Sequence, residues 1–361
     1  MHTRRPVLFV LLFALLTAAP SWAGKRSEDA AAELLDRRMK NQRPEDHAIL
    51  QAVKGKHIVV VRGSMDHIEQ VLDAARIRHT LIAPNQVAMA DLTADQILMV
   101  NCPGNIPAAG VRRIAKFVRA GGLLYTTDWA LLNVVQKAFP GTIQHNGKST
   151  GDHVTKVHVH KHKGGKAHDN VMSNMLLTSK TEPQWWLEGG SYPIQILDKK
   201  RVKVLASSPQ MGKQYGAAPV VVRFRWEDGE VIHVVSHFYR QIATQGAAVA
   251  SKDAIDGVSG LTAADKKAYK ASGGAGVPMT EVESSYAFQQ MTSNVVVGKQ
   301  RRNRTLDKSY RWKSNKTVDI DGRQAPAGSR LKELERKGKK VKVRDDRGNE
   351  TWLDEDDLES R

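Results

Sequence analysis

Short apolar runs alternating with amphipathic stretches dominate the first half of the chain. Ile58-Val59-Val60-Val61 is apolar at every position, which predicts a strand buried on both faces of a parallel sheet. Thr80–Ala83, Ile97–Asn101 and Leu123–Thr127 read as three further strands. Between them apolar residues recur at helical spacing: Ile68, Val71 and Leu72 within 65–75, then Val111, Ile114, Phe117 and Val118 within 109–120. Gly121-Gly122 stops the second helix, and helical periodicity resumes over 129–139. Four strand–helix alternations with short links predict an α/β fold with a doubly wound, mostly parallel sheet. Ahead of it, 24–54 reads as a polar helical segment with a thin apolar stripe (Ala31, Leu34, Leu35, Met39), interrupted at Arg43-Pro44.

Beyond residue 150 the pattern becomes strand-like. Val154–His160, Val202–Ala206, Val220–Phe224 and Val231–His237 are strand-sized, and Glu227-Asp228-Gly229-Glu230 joins the last two as a hairpin. Residues 245–278 are rich in Ala and Gly and read as a flexible, mostly exposed insertion within an α/β domain spanning 55–300. An apolar-periodic helix follows over 284–297, then a basic linker over 301–316. From 317 to 361, short strands separated by Asp-Gly, Pro-Ala-Gly and Arg-Gly-Asn turns predict a small all-β barrel.

Composition narrows the class. With 361 residues, 41% hydrophobic and 26% charged, the chain is neither collagen, coiled coil nor wholesale disorder. The single cysteine, Cys102, excludes an intramolecular disulfide framework and a multi-cysteine zinc site. Arg4-Arg5, an apolar run from Val7 to Ala19 broken only by Thr17, and Ser21-Trp22-Ala23 have the three-part layout of a secretory signal peptide over 1–23. Thirteen residues span about 20 Å as helix, short of the roughly 30 Å hydrocarbon core, so no permanent span is expected in the mature chain. The expected location is therefore periplasmic or secreted, in a bacterial envelope. Lys and Arg outnumber Asp and Glu 55 to 38, for a net charge of +17. Outside the cytoplasm that balance suits a cell-wall or other anionic envelope polymer; nucleic acid is not the expected partner. The bland alternative is that the surplus cations serve solubility alone.

Two segments carry resemblances. Asp95-Gln-Ile-Leu-Met-Val-Asn-Cys-Pro-Gly104 and Val111-Arg-Arg-Ile-Ala-Lys-Phe-Val-Arg-Ala-Gly-Gly-Leu-Leu-Tyr-Thr-Thr-Asp128 resemble the core of the class I glutamine amidotransferase-like superfamily, in its ThuA-like branch. Val157-His-Val159, Ala167-His168 and Gly229–Phe238 extend the likeness over about 57–300. It implies a flavodoxin- or amidotransferase-like sheet. It also implies that the turn after Leu123–Thr127 is where active relatives carry a nucleophilic cysteine. Here Thr127-Asp128-Trp129 stands there, so the resemblance implies a non-catalytic member. Gly328–Leu331, Val341–Val343 and Glu350–Leu353 with Leu358 resemble a bacterial Src-homology-3-like module, a class that implies cell-wall peptide binding or simple packing.

The candidate chemistry falls at strand ends and among histidines. Asp128 and His237 both belong at carboxyl ends of strands, where this fold class does its chemistry, and form an acid/base pair for a hydrolase of carbohydrate or amide substrates. Alternatively Asp128 caps the helix after it. His158 and His160 alternate on one strand face, with His168 near in sequence, a set suited to zinc or another transition metal; the alternative is a solvated hairpin, and no cofactor is required. Trp129, Trp185, Trp186 and Trp352 are candidate binding aromatics that would stack on a ligand or fill seams. The leading expectation is an envelope-associated binding or scaffolding protein without catalysis.

Overall fold

The computed structural model describes residues 22–160, 171–178, 183–236 and 249–361, with side chains from Lys25 onward. Residues 1–21, most of the expected signal segment, together with His168 and His237, lie outside the described residues. No helix among the described residues is long and apolar enough to cross a membrane.

The main sheet has eight strands. Ile58–Val61 (β1), Thr80–Ile82 (β2), Ile97–Val100 (β3) and Leu123–Thr127 (β4) lie in the order β2-β1-β3-β4 and are parallel. The strand Gly229–Val234 adds a fifth parallel member against β4. Pro219–Trp226, Lys203–Ser207 and His158–Val159 then extend the sheet in antiparallel register. Every residue of β1, β3 and β4 is buried, which is why β1 and β3 read as continuous apolar runs rather than alternations, while β4 also buries Thr126 and Thr127. This is the expected α/β architecture, with the five parallel strands in the spatial order of a flavodoxin-type sheet.

Helices form two groups. Trp22–Gln42 (α1), Pro44–Gln51 (α2) and Ile68–Ala74 (α3) pack with the long helix Met279–Asp307, while Ala108–Ala120 (α4) packs with segments 84–89 and 136–138. Pro44 at the first turn of α2 ends α1 where Arg43-Pro44 predicts a break. Ala31, Leu34, Leu35 and Met39, the thin stripe of α1, are almost fully buried in a second core with Ile255, Val258, Tyr269 and Tyr286.

Two expectations are corrected here. Residues 249–278, although half of them are exposed, are not without structure: they carry helices Ser251–Ala254 and Ala263–Lys270 and bury Ile255, Val258 and Tyr269 against α1. Their Ala and Gly allow close approach; a Cβ on Gly274 would meet the Ala30 Cβ at 2.6 Å. Nor is 301–316 a linker. The helix continues to Asp307, and Trp312–Ser314 is already a strand of the C-terminal sheet. Four of its cations form ion pairs: Arg301 with Asp46, Arg302 with Glu230, Lys313 with Glu359 and Lys316 with Asp357.

The C-terminal segment forms a five-stranded antiparallel sheet, ordered Glu350–Asp354, Lys340–Asp345, Arg330–Lys337, Trp312–Ser314, Leu358–Ser360, plus the hairpin Val318–Ile320/Arg323–Ala325. It encloses its own small core of Ile320, Leu331, Val341 and Val343. It is docked on the α/β sheet rather than tethered beside it. Arg344, 6% exposed, reaches Glu227, Asp228 and Glu350 and donates to the Arg119 carbonyl. Gly348, at φ +86°, sits so close to α4 that a Cβ would lie 2.1 Å from the Lys116 carbonyl oxygen.

Candidate functional site

The parallel strands end in three loops that face one another. In this strand order the direction of winding reverses between β1 and β3, the usual seat of a ligand crevice. Here that crevice is closed by main chain. The Ser64 and Met65 N–H groups donate to the Cys102 carbonyl at 3.1 and 3.2 Å. Gly63 makes the approach possible, since a Cβ there would meet the same oxygen at 2.2 Å. The Asn101 side chain, buried, accepts from the Ile68 N–H and donates to Glu69, fixing the start of α3. Cys102 is 1% exposed. A thiol so enclosed cannot meet a substrate.

The turn after β4 is the centre of the site. Asp128 adopts φ +43°, the left-handed conformation that a sharp strand-to-helix turn demands and that Asp tolerates better than most residues. Its backbone N–H donates to the Val234 carbonyl, so the turn is pinned to the neighbouring strand. The side chain does not cap the following helix, whose first turn, a π-type segment Leu131–Val135, has no side-chain cap. Instead one carboxylate oxygen accepts from the Ser191 hydroxyl at 3.0 Å and the other from the Tyr192 N–H at 2.8 Å. The carboxylate is 3% exposed, and these two donors offset the cost of removing it from water.

The loop it holds is cross-braced. Thr150 accepts from the Ser191 N–H through its hydroxyl and from the Gly190 N–H through its carbonyl. The Ser236 hydroxyl, at the end of the fifth parallel strand, donates to Glu188 at 2.9 Å. The Trp129 indole N–H donates to the Gly190 carbonyl at 2.8 Å. Tyr192 stacks on both Trp129 and His145, with ring centroids 5.5 and 4.0 Å away. Loop 188–192 therefore covers the strand ends where an acid/base pair would need an open pocket.

The remaining candidates separate. Trp185 is fully buried, donating to the Val235 carbonyl, and is a core residue rather than a stacking platform. Trp186 is partly exposed and donates to Asp152. Trp352, 38% exposed on the C-terminal sheet, carries the Lys337 ammonium 5.2 Å over its ring. His158 and His160 are exposed on the edge strand, His160 hydrogen-bonded to the Ser207 hydroxyl. Among the described residues no group of three or more His, Cys, Asp or Glu could hold a metal.

Two buried groups lie outside the candidate set. His233 lies fully buried beside Thr126 (2.8 Å), and burial pushes its imidazole down to about 3, so it is neutral. Asp66, also buried, accepts from the Thr127 hydroxyl at 2.6 Å. Neither shows a motif; each is defined by a neighbour tens of residues away.

No protein-family model and no curated protein matches the chain. Solved structures are similar to parts of the chain. A putative ThuA-like protein from Bacteroides uniformis is 13% identical and matches over 51% of this chain and 82% of its own, with a TM-score of 0.33. The exo-β-1,4-mannosidase Op5Man5 from an Opitutaceae bacterium is 10% identical over 54% of this chain, TM-score 0.33. A cold-adapted β-galactosidase from Rahnella is 12% identical over 84%, TM-score 0.34. This chain spans 33% of the mannosidase and 40% of the Rahnella enzyme.

Proposed function

We propose that this chain is a non-catalytic binding or scaffolding protein of the bacterial envelope, built on a degenerate ThuA-like, amidotransferase-like sheet. The observation that carries this reading is the Asp128 carboxylate, buried and engaged at both oxygens by Ser191 and Tyr192. A general acid or base needs access to substrate, and the hydrolase alternative with Asp128 and His237 would require this loop to leave. Closure of the β1/β3 crevice by Gly63–Met65 on the Cys102 carbonyl supports the same reading. The C-terminal sheet is proposed as a Src-homology-3-like module that presents Trp352 to a cell-wall polymer. Exposure of Trp352 beside Lys337, an aromatic face next to a cation, supports that role. The periplasmic or secreted location rests on the signal-like residues 1–23.

The test is retention of the full-length mature protein on purified cell wall, comparing the native chain with Trp352→Ala. Retention that falls several-fold in the variant supports the reading. Equal retention removes the module as the anchor. In parallel, hydrolysis of chromogenic glycoside and amide substrates by the native chain, lost in Asp128→Asn, would replace the non-catalytic reading.

A further inference from the structure

Away from the strand-end loops, the antiparallel side of the main sheet concentrates positive charge in one concavity. A cavity of about 390 Å³ is lined by Arg201, Lys203, Arg223, Arg225 and Arg302, with Glu230 as its only carboxylate among the described residues. The arrangement follows from register. Lys203 is directly opposite Arg223 on adjacent antiparallel strands, and Arg225 is two residues along the same strand, so on the same face. Arg302 reaches in from the long helix.

Like charges directly across a strand pair destabilise a sheet, so this cluster costs the free protein stability. Glu230, 8% exposed, offsets part of it: its oxygens lie 2.6 Å from Arg302 and 3.4 Å from Arg223. That leaves three cations directed at the cavity. Arg201 is held 5.1 Å over the Trp226 ring, with Asp198 at 3.5 Å. Lys203 and Arg225 make no ion pair among the described residues. In the adjoining cavity of about 360 Å³, which shares Arg225, Glu230 and Arg302, the other carboxylate, Asp228, is already bound by Lys332 and Arg344. Two pre-ordered guanidinium groups, a third exposed one and a flexible ammonium make a donor set matched to phosphate oxygens, which accept bidentate hydrogen bonds from Arg and a point charge from Lys.

We infer that this cleft is a binding site for multiply charged phosphate groups, with Arg225 and Lys203 as the ligand-facing cations and Arg201 and Arg302 as its walls. The inference concerns this cleft alone and holds whether or not the C-terminal sheet grips cell wall. The shared chemistry belongs to a small phosphate ester or to a phosphate-rich polymer, and the two are separated by probe.

The experiment titrates full-length mature protein with inorganic tripolyphosphate and with long-chain polyphosphate, by calorimetry at two salt concentrations. The expected result is saturable binding of tripolyphosphate. Arg225→Gln/Lys203→Gln should weaken it at least tenfold, while Lys137→Ala/Lys213→Ala, which removes equal charge elsewhere, should change it less than twofold. Binding of the long polymer alone, still lost in the cleft variant, assigns the site to a polymer. The ligand-free cleft variant should also melt at an equal or higher temperature than the native chain, because like-charge repulsion is relieved. Equal affinity of native chain and cleft variant, an equal loss in the control variant, or no binding of either probe would overturn the inference.

Discussion

The Tyr192 backbone N–H donates to the Asp128 carboxylate at 2.8 Å across 64 residues of sequence. That bond joins the turn after β4 to the loop that covers it, and it turns a position suited to chemistry into a structural clasp. Removing the carboxylate with Asp128→Ala leaves the Ser191 hydroxyl and the Tyr192 N–H without acceptors in a buried place. The expected loss is about 2–4 kcal/mol in urea unfolding, with the Tyr192 amide losing protection from hydrogen exchange. Asp128→Asn keeps one acceptor and should lose about half as much. Unchanged protection at Tyr192 in the alanine variant would contradict the clasp.

His233 sets a pH dependence. Its folded pKa is depressed to about 3 by burial, against 6.5 for the exposed side chain. The unfolded chain therefore binds the extra proton between these values, and stability falls as pH drops from about 6.5 towards 3, by up to about 5 kcal/mol. Above pH 6.5 both states are neutral and the contribution is constant. His233→Asn, which keeps a partner for the Thr126 hydroxyl, should flatten that limb of the stability–pH curve. A native-like slope in the variant would assign the acid sensitivity to other groups.

Lys299 bridges the long helix to the bottom of the sheet, donating to the Ala94 and Gly121 carbonyls while 1% exposed. Lys299→Met keeps the apolar stem but orphans both carbonyls, and should cost about 2–3 kcal/mol. Burial holds the ammonium down to about 7, below the ordinary 10.5. The unfolded chain then binds the extra proton from about pH 7 to 10.5, so native stability should gain a rising component over that interval that the methionine variant lacks. Stability curves of the two proteins that stay parallel from pH 7 to 10 would refute it.

Docking of the C-terminal sheet is testable at Arg344 and Gly348. Arg344→Gln leaves Glu227, Asp228 and Glu350 facing one another, at an expected cost of about 3 kcal/mol. Gly348→Ala combines a strained positive φ with a clash against the Lys116 carbonyl, and should lift the sheet from α4. Limited proteolysis near 308–311 should accelerate in both variants while the Ile320–Leu331–Val343 core stays intact. Identical digestion rates would show that the contact is dispensable.

The parallel sheet was legible in sequence because strands buried on both faces are mostly apolar, as Ile58–Val61 and Ile97–Val100 are throughout. The same holds for the break at Arg43-Pro44, where proline geometry acts locally. Composition misled at 249–278 and 301–316, because Ala, Gly, Lys and Arg say nothing about what packs against them: Tyr269 finds α1, and Arg301 finds Asp46. Asp128 was visible as a residue at a strand end, but its role was not. Whether a carboxylate faces an open pocket or two donors depends on Ser191 and Tyr192, which only the folded chain brings to it. Sequence alone fixes what is periodic or local; the tertiary structure alone decides which distant groups meet, because hydrogen bonds and like-charge contacts act over a few ångströms of space regardless of separation along the chain.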